Sequence, residues 1–397
     1  MPTEKLYWAD PFAAAFEATA EPGMLGGKPT LVLDRTLFYP ESGGQLADAG
    51  TLVVAGRELC VTDVQVDDDG VIHHFVEGEP ATGVATGKLD VARRRDHMAQ
   101  HTAQHALSRA LVDVARAETV SSRLGATSCT IDVAGAVDER ALARAEDLVN
   151  SIVTDDVVVR QLFPTAEELP TLPLRRPPKV DRGVRVIDIE GFDMSPCGGT
   201  HCTRTGQIGA VRVVGLEKYK GGWRVTFHAG RRALDDARRK EAVLGELARD
   251  FTCGLLDVGQ SVSKLRADLK ARTDALAATR GELVELLADR ILAAHPPGAG
   301  AQRIVVLREH DDLGMLRTLA GRLASREDVV AFCAAPDDKS AGDWAIVVQR
   351  GARSDFDCGA WLKAAAAASG GRGGGRPERA EGRLPRSASI ETLARSS

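Results

Sequence analysis

The 397-residue sequence predicts a multidomain α+β protein. Three observations support this fold class. The chain is longer than one ordinary domain, its first 90 residues are rich in short strand-like runs, and helical periodicity alternates with strands from about residue 96 onward. The 44% hydrophobic and 27% charged residues are typical of soluble globular proteins. No apolar run approaches the roughly 20 residues that cross a bilayer, so we expect no membrane association.

Residues 1–90 are predicted to form a small β-barrel or sandwich. Asp68-Asp69-Gly70 is a hairpin turn signal between the last two strands. The predicted strands are 31–38, 51–54, 59–66 and 71–76.

Residues 91–230 are predicted to form an α+β domain. Apolar residues recur at helical spacing from Asp96 to Arg116, and Asp138 is a candidate cap for a second helix. Further strands are expected at residues 128–133, 157–163, 184–189, 208–214 and 223–227.

Residues 231–295 read as two amphipathic helices broken near Cys253-Gly254, which predicts an antiparallel helical hairpin. Residues 295–300 form a linker, and residues 296–397 are predicted to be an α/β domain that ends in a glycine-rich, arginine-containing tail. Its strands are expected at 303–307, 329–332 and 344–348, and its helices at 312–324 and 357–368. The hairpin or this last domain is a candidate surface for a homodimer.

Cysteine usage and charge limit the class of protein. The seven cysteines are scattered without a Cys-x-x-Cys pair, and the amino terminus lacks the pattern of a secretion signal. We therefore expect a reducing, cytoplasmic setting. The formal charge of −5 provides no global footprint for nucleic acid, so any such contact must come from local basic patches.

Two pairs of residues point to a metal. His101 and His105 lie four residues apart on a predicted helix, so both imidazoles face one side of it. Cys197 and His201 enclose two glycines, which suit a tight loop that returns the thiolate and the imidazole to one point. Each pair alone is weak evidence, because core-lining or surface histidines are common. Together they predict a Cys/His₃ zinc centre.

The role of such a zinc ion stays open at this stage. Four protein ligands usually mark a closed structural site, whereas catalysis requires an open position. Either one ligand, most plausibly His201, yields to water or substrate, or the ion only organises the substrate. We favour an ion that orients the substrate while water attacks, with no Ser or Cys nucleophile.

Three stretches resemble a known family. They are TLFYPESGGQ at residues 36–45, MAQHTAQHALS at 98–108 and GFDMSPCGGTH at 191–201, which continues into TGQIG at 205–209. In this order they resemble the editing domain of alanyl-tRNA synthetases and the free-standing alanyl-tRNA editing proteins of the AlaX family. The glycine-rich tail resembles the end of the C-terminal domain of these synthetases more loosely.

The resemblance implies an elongation-factor-like barrel and a trans-editing hydrolase of the long AlaX type. Such an enzyme deacylates tRNA(Ala) mischarged with serine or glycine, with Zn²⁺ as cofactor. A pocket for alanine cannot reject serine by size, so the editing site needs a group that bonds the serine hydroxyl. Thr102 is the candidate, and an ordinary helix threonine bonded to its own preceding turn is the alternative.

Two further residues are candidates for the chemistry. Gln45 follows two glycines that let the backbone approach the pocket, and its amide suits contact with substrate; a solvated turn is the alternative. Asp193 precedes Cys197 by four residues and is a candidate to hold a metal histidine or position water.

Basic residues are candidates for tRNA contact. Lys218, Lys220 and Arg224 cluster after the third stretch, together with Arg231 and Arg232, and a solvated basic edge is the alternative. In the tail, Arg372 and Arg376 flank glycines whose amides suit phosphate, and a solvated, flexible segment is the alternative.

Other functions remain open on the sequence. One is the related editing activity of threonyl-tRNA synthetases, which shares both metal pairs. Another is a zinc-structured tRNA-binding module without hydrolytic activity, and a third is an interaction protein assembled through the helical hairpin. The absence of an ATP-binding motif and of an aminoacylation part argues against ligase activity.

Overall fold

The computed structural model describes residues 2–178, 180, 183–298, 300–337 and 340–395, so residue 299 of the predicted linker lies outside the described residues. The chain forms two compact units, Met1–Glu246 and Leu247–Ser397. Both contain helices and strands, which confirms the multidomain α+β class. The finer division at residues 90, 230 and 295 stays a prediction. None of the helices in the described ranges is long and apolar enough to cross a membrane.

The first part of unit Met1–Glu246 is a closed barrel with strand order β2-β3-β7-β6-β5-β8. A short helix, α1 (Leu6–Ala9), and a parallel pair, β1 with β4, lie beside it. The strands are β1 (Glu4–Lys5), β2 (Ala15–Leu25), β3 (Lys28–Leu33), β4 (Arg35–Thr36), β5 (Gly50–Val54), β6 (Arg57–Val66), β7 (Ile72–Glu77) and β8 (Gly83–Leu89).

The barrel interior is filled by alternate residues of these strands, as in β2, where buried and exposed residues alternate from Ala15 to Ala20. The turn at residues 68–70 is confirmed: the Asp67 carboxylate accepts a hydrogen bond from the Val71 amide at 2.8 Å, and Gly70 has a φ of +79°. Strands β2 and β8 were not predicted, because alanine and glycine occupy most of their buried positions and give only a weak two-residue hydrophobic pattern.

The rest of this unit surrounds one long helix, α2. Its elements are α2 (Val91–Ala115), β9 (Thr119–Leu124), β10 (Cys129–Val133), α3 (Glu139–Asp155), β11 (Val159–Leu162), β12 (Val186–Ile189), β13 (Asp193–Pro196), β14 (Val211–Tyr219), β15 (Gly222–Ala229) and α4 (Gly230–Asp250). The strands form two antiparallel sheets, β14-β15-β10-β9 and β11-β12-β13. The predicted cap is confirmed, since the Asp138 carboxylate accepts from the Ala141 amide at 2.7 Å.

A buried ion pair joins the start of α2 to the barrel. The Arg94 guanidinium lies 2.5 Å from the Asp48 carboxylate, and both side chains are almost fully buried. Arg94 also donates to the Leu37 and Pro11 carbonyl oxygens at 2.5 and 3.0 Å. Because a buried charge needs such partners, this pair requires the barrel and α2 to assemble together.

Unit Leu247–Ser397 consists of helices packed on the sheet β16-β17-β18-β20-β19, after a long helix, α5. Its elements are α5 (Val258–Ala294), β16 (Gln302–Leu307), α6 (Leu313–Ala324), β17 (Val329–Asp337), β18 (Ser340–Arg350), α7 (Cys358–Ser369), β19 (Arg372–Arg376), β20 (Arg379–Pro385) and α8 (Ile390–Arg395). Strands β16 and β17 are parallel, and the other pairs are antiparallel.

The glycine-rich tail, for which the sequence suggested a flexible segment as one alternative, forms a β-hairpin. Strand β19 pairs with β20 at the edge of the sheet. A Cβ on Gly373 would lie 2.8 Å from the Leu362 side chain of α7, so glycine lets helix and strand pack closely.

The packing of α4 against α5 stays a prediction, as does a homodimer. On α5 the predicted apolar positions are largely solvent-exposed, with Leu269 64% and Leu286 69% accessible.

Candidate metal centre

The four predicted zinc ligands converge. One ligand atom from each of His101, His105, Cys197 and His201 lies within 4.8 Å of the others, and all but Cys197 are buried. The Cys197 Sγ is 3.3 Å from the Nε2 atoms of both His101 and His201. In a tetrahedral zinc site, bond lengths of about 2.3 Å to sulfur and 2.05 Å to nitrogen place sulfur and nitrogen about 3.5 Å apart. The cluster therefore fits zinc.

Local structure explains the convergence. His101 and His105 lie on one face of α2, and their ring centroids are 5.3 Å apart. Cys197 directly follows β13, and the loop after it brings His201 to within 4.3 Å of the His101 ring centroid. Gly199 lies against His101: a Cβ there would be only 2.2 Å from the ring's Cε1 atom.

Gln45 orients His101. Its side-chain Oε1 accepts from the backbone amide of Thr200 at 3.1 Å, which identifies this atom as the oxygen. The same oxygen is 2.8 Å from His101 Nδ1, so Nδ1 carries the proton and Nε2 faces the cluster. Gln45 is fully buried, unlike the solvated turn considered from the sequence.

Thr102 orients His201. Its hydroxyl donates to the Met98 carbonyl at 2.8 Å, the local bond expected of a helix threonine. The oxygen accepts from His201 Nδ1 at 3.2 Å and from the Cys202 amide at 3.0 Å. All its hydrogen-bonding capacity is in use, so contact with a serine hydroxyl requires one of these bonds to be exchanged.

Asp193 lies behind His105. Its carboxylate oxygen is 3.6 Å from His105 Nδ1, and Arg175 donates to the other oxygen at 2.7 Å. Burial alone would raise the pKa of Asp193, but His105 and Arg175 hold it at about 2. His105 Nε2 is buried without a hydrogen-bond partner, which leaves it available to an ion in the cluster.

The protonation states of Cys197 and His201 suit zinc as well, whereas His105 must lose a proton when it binds the ion. Burial opposes ionisation of the Cys197 thiol, but the imidazoles of His101, His201 and His105 hold its pKa well below its usual value. Burial and the neighbouring His101 lower the pKa of His201, which favours its neutral form. Against the effect of burial, Cys197 and Asp193 raise the pKa of His105. A thiolate beside imidazoles is the donor set that zinc binds.

Two side chains that hold the Cys197 loop (residues 197–201) were not predicted from the sequence. The buried Arg185 donates to the Cys197 and Gly199 carbonyl oxygens at 2.9 and 2.8 Å. The Trp8 indole donates to the Gly198 carbonyl at 3.0 Å. A charged residue between Val184 and Val186 was a usable signal for Arg185. Nothing near Trp8 distinguished it.

The predicted tRNA-contact residues lie in two places. Lys218, Lys220 and Arg224 are on the β14–β15 hairpin, beside a cleft of about 560 Å³ that Lys220 and Arg224 line. The Arg224 guanidinium already pairs with Asp132 at 2.6 Å and lies 3.5 Å from the Tyr219 ring centroid. In the other unit, Arg372 and Arg376 are exposed at the two ends of β19.

The other two basic residues of the first cluster are on α4. Arg231 pairs with Asp235 at 3.1 Å, and Arg232 pairs with Asp96 at 2.5 Å.

Three models of known protein families match parts of the chain. The second additional domain of threonyl and alanyl tRNA synthetases matches residues 184–226, which hold the Cys197 loop. The class II (A) tRNA synthetase model matches residues 14–93, and the DHHA1 domain matches residues 301–396. The matched segments lie in the barrel, around the Cys197 loop and in the C-terminal sheet.

Individual relatives match nearly the whole chain. The alanine–tRNA ligases of Halorubrum lacusprofundi and Thermobifida fusca are each 31% identical to it, over 96% and 93% of its length. Together with the family-model matches, this similarity supports an AlaX-like protein. It spans only 42% and 44% of these two ligases. The C-Ala domain of Aquifex aeolicus alanyl-tRNA synthetase matches 24% of this chain, and the match covers 88% of that domain. The identity is 19% and the TM-score is 0.22, which is too low to bear on the fold.

Adjacent glycines provide a test of the cluster. Gly199→Ala should lower zinc affinity about 10- to 100-fold, because the new Cβ displaces the His101 ring from Gln45. A competition titration with a zinc chelator measures this. Gly198→Ala is the matched control, since nothing lies within 4 Å of its Cβ position. Equal affinities in the two variants would contradict the assigned packing.

Proposed function

We propose that this protein is a zinc-dependent aminoacyl-tRNA deacylase that hydrolyses seryl-tRNA(Ala), and also glycyl-tRNA(Ala). One observation carries the proposal: each imidazole of the cluster has its Nδ1 beside an outer partner, which leaves three Nε2 atoms and one thiolate for a single ion. Similarity to alanine–tRNA ligases supports tRNA(Ala) as the partner, and the match to the second additional domain of threonyl and alanyl tRNA synthetases supports an editing reaction.

The reaction follows from the chemistry of the wrong product. A site that charges tRNA with alanine discriminates poorly against serine, which differs by one hydroxyl. The mischarged ester is removed when water attacks its carbonyl carbon and the tRNA 3′ oxygen leaves with a proton. Selection of serine over alanine must then come from a polar group whose hydrogen bond alanine cannot make. This group cannot select glycine, which also lacks the hydroxyl.

In this scheme His101, His105, Cys197 and His201 hold zinc, and the protein's other residues position them. Zinc, when bound there, supplies Lewis-acid polarisation of the ester and orientation of the aminoacyl group. Gln45 keeps the His101 proton on Nδ1, and the Asp193 carboxylate lies 3.6 Å from Nδ1 of His105. Cys197 serves as a ligand rather than as a nucleophile. We further propose that Thr102 and Gln45 contact the aminoacyl group.

A second candidate is a tRNA-binding module in which the zinc is only structural. The observation that favours it is the complete set of four protein donors, which is typical of closed zinc sites. The two candidates differ in one result. A deacylase releases serine from seryl-tRNA(Ala) while leaving alanyl-tRNA(Ala) intact, whereas a binding module leaves both esters unchanged.

Removal of one ligand tests the link between metal and activity. His105→Ala should lower zinc content and seryl-tRNA(Ala) hydrolysis together, because a three-ligand site binds zinc more weakly. Metal analysis and a two-substrate deacylation assay measure both. His310→Ala, at an exposed histidine outside the cluster, is the control and should change neither. Full hydrolysis by a zinc-free His105→Ala protein would refute zinc dependence.

Thr102 can be tested by removing only its hydroxyl. Thr102→Val should lower the preference for seryl over alanyl substrate and reduce the free energy of unfolding by about 1–3 kcal/mol, because buried donors lose their acceptor. Thr102→Ser keeps the hydroxyl and should restore both. If the valine variant is less stable but equally selective, Thr102 only positions His201.

The proposal for tRNA contact rests on two basic surfaces. Lys218 and Lys220 are exposed and make no ion pair with any residue that the structure describes, so both remain available to phosphate. Arg224 is already neutralised by Asp132, and it supports the hairpin through Tyr219. Arg372 and Arg376 offer a second exposed pair.

Salt dependence tests the hairpin lysines. The double change Lys218→Gln and Lys220→Gln should reduce the slope of log affinity for tRNA against log salt by about 1 for each lost phosphate contact. Lys28→Gln with Lys88→Gln, at two exposed positions of the barrel, is the charge-matched control. Arg372→Gln with Arg376→Gln tests the other surface. A slope equal to that of the control would remove the residues from the interface.

A further inference from the structure

An aromatic rim borders the Cys197 loop. Phe163, directly after β11, is 57% solvent-exposed, and its ring centroid is 6.0 Å from that of Trp8. Trp8 is partly buried and donates its indole hydrogen to the Gly198 carbonyl at 3.0 Å, one residue from Cys197. An exposed phenylalanine beside a partly exposed tryptophan therefore lies next to the candidate metal centre.

Hydrogen bonds link this rim, formed by Trp8 and Phe163, to the Cys197 loop. Gln161, two residues before Phe163, donates to the Trp8 carbonyl, and its side-chain oxygen accepts from Arg185 at 3.0 Å. Arg185 in turn donates to the Cys197 and Gly199 carbonyl oxygens. The position of the two rings is thus coupled to the loop that carries two of the four ligands.

Two cations accompany the aromatic rings. The Lys5 ammonium lies 4.5 Å from the centroid of the Trp8 ring. The exposed Arg176 guanidinium is 3.4 Å from the Pro196 carbonyl oxygen. Within the described ranges, neither residue forms an ion pair with a carboxylate. Positive charge without a partner, in a chain of net charge −5, favours an anionic ligand at this point.

We propose that this rim binds the 3′-terminal nucleotide of tRNA, with its base stacked on the exposed ring of Phe163 and its phosphate held by Lys5 and Arg176. The inference rests on the proposed function, because the ester to be cleaved is attached to the terminal ribose. With the ester carbonyl at the cluster, the terminal base must lie within a few ångströms of it. Aromatic faces with flanking cations are the means by which proteins bind single-stranded RNA ends.

The occupant is better described as a nucleotide than as a protein. The apolar surface of the rim consists of two rings, whereas protein interfaces bury larger surfaces around a cluster of anchors. Stacking on an aromatic face is also independent of sequence, which suits the adenine that ends every tRNA.

A fluorescent base tests the stacking directly. The probe is uncharged tRNA(Ala) in which 2-aminopurine replaces the 3′-terminal adenine, because its emission is quenched on stacking. Full-length wild-type protein should quench it. Phe163→Ala should abolish the quenching and weaken binding about 5- to 150-fold, the range for loss of one base–aromatic stack. Phe163→Trp should retain it, and Val84→Ala, at an exposed apolar residue of the barrel, is the control.

The outcomes separate this inference from the proposed function. Quenching that Phe163→Trp keeps and Phe163→Ala loses supports the rim, whether or not the protein hydrolyses seryl-tRNA(Ala). An absence of quenching with wild-type protein that binds the probe, or equal quenching with Phe163→Ala, overturns it. In the hydrolysis assay, Phe163→Ala should raise KM with little change in kcat, because the ligand cluster is untouched. A fall in kcat alone would also contradict a binding role.

Discussion

The orientation of three imidazole rings is the constraint on which the site depends. An imidazole binds a metal well only when its second nitrogen has a partner that fixes the tautomer and the ring plane. Here Gln45, Thr102 and Asp193 lie beside the Nδ1 atoms of His101, His201 and His105. These partners come from the barrel segment, from α2 itself and from β13. The centre therefore forms only when all three parts are assembled.

Close packing and buried charge support that assembly. The Cys197 loop is held by a buried guanidinium, and it touches His101 through a glycine that leaves no room for a side chain. Two turns earlier on α2, the Arg94–Asp48 pair ties the helix to the barrel. Losing one partner of such a pair leaves an uncompensated buried charge, at a cost of about 3–5 kcal/mol. The geometry of the site is thus tied to the stability of the unit around it.

The distribution of charge around the site favours a polyanionic ligand. The chain as a whole is acidic, but unpaired cations occur on the β14–β15 hairpin and beside the metal loop. Arg175 and Arg224 are neutralised by carboxylates, whereas the buried Arg185 donates to carbonyl oxygens of the Cys197 loop. Local excess charge of this kind directs a ligand to one face without making the whole surface attractive to nucleic acid.

Sequence alone predicted the four residues of the cluster and much of the element order, because four-residue spacing on a helix and in a glycine loop is a local property. It also identified Gln45, Thr102 and Asp193 as part of the site, but not what they do there. Their contacts with His101, His201 and His105, and the support from Arg185 and Trp8, join residues up to 190 positions apart, so only the tertiary structure could decide them. The same holds for the glycine-rich tail, which is a strand because α7 packs against it.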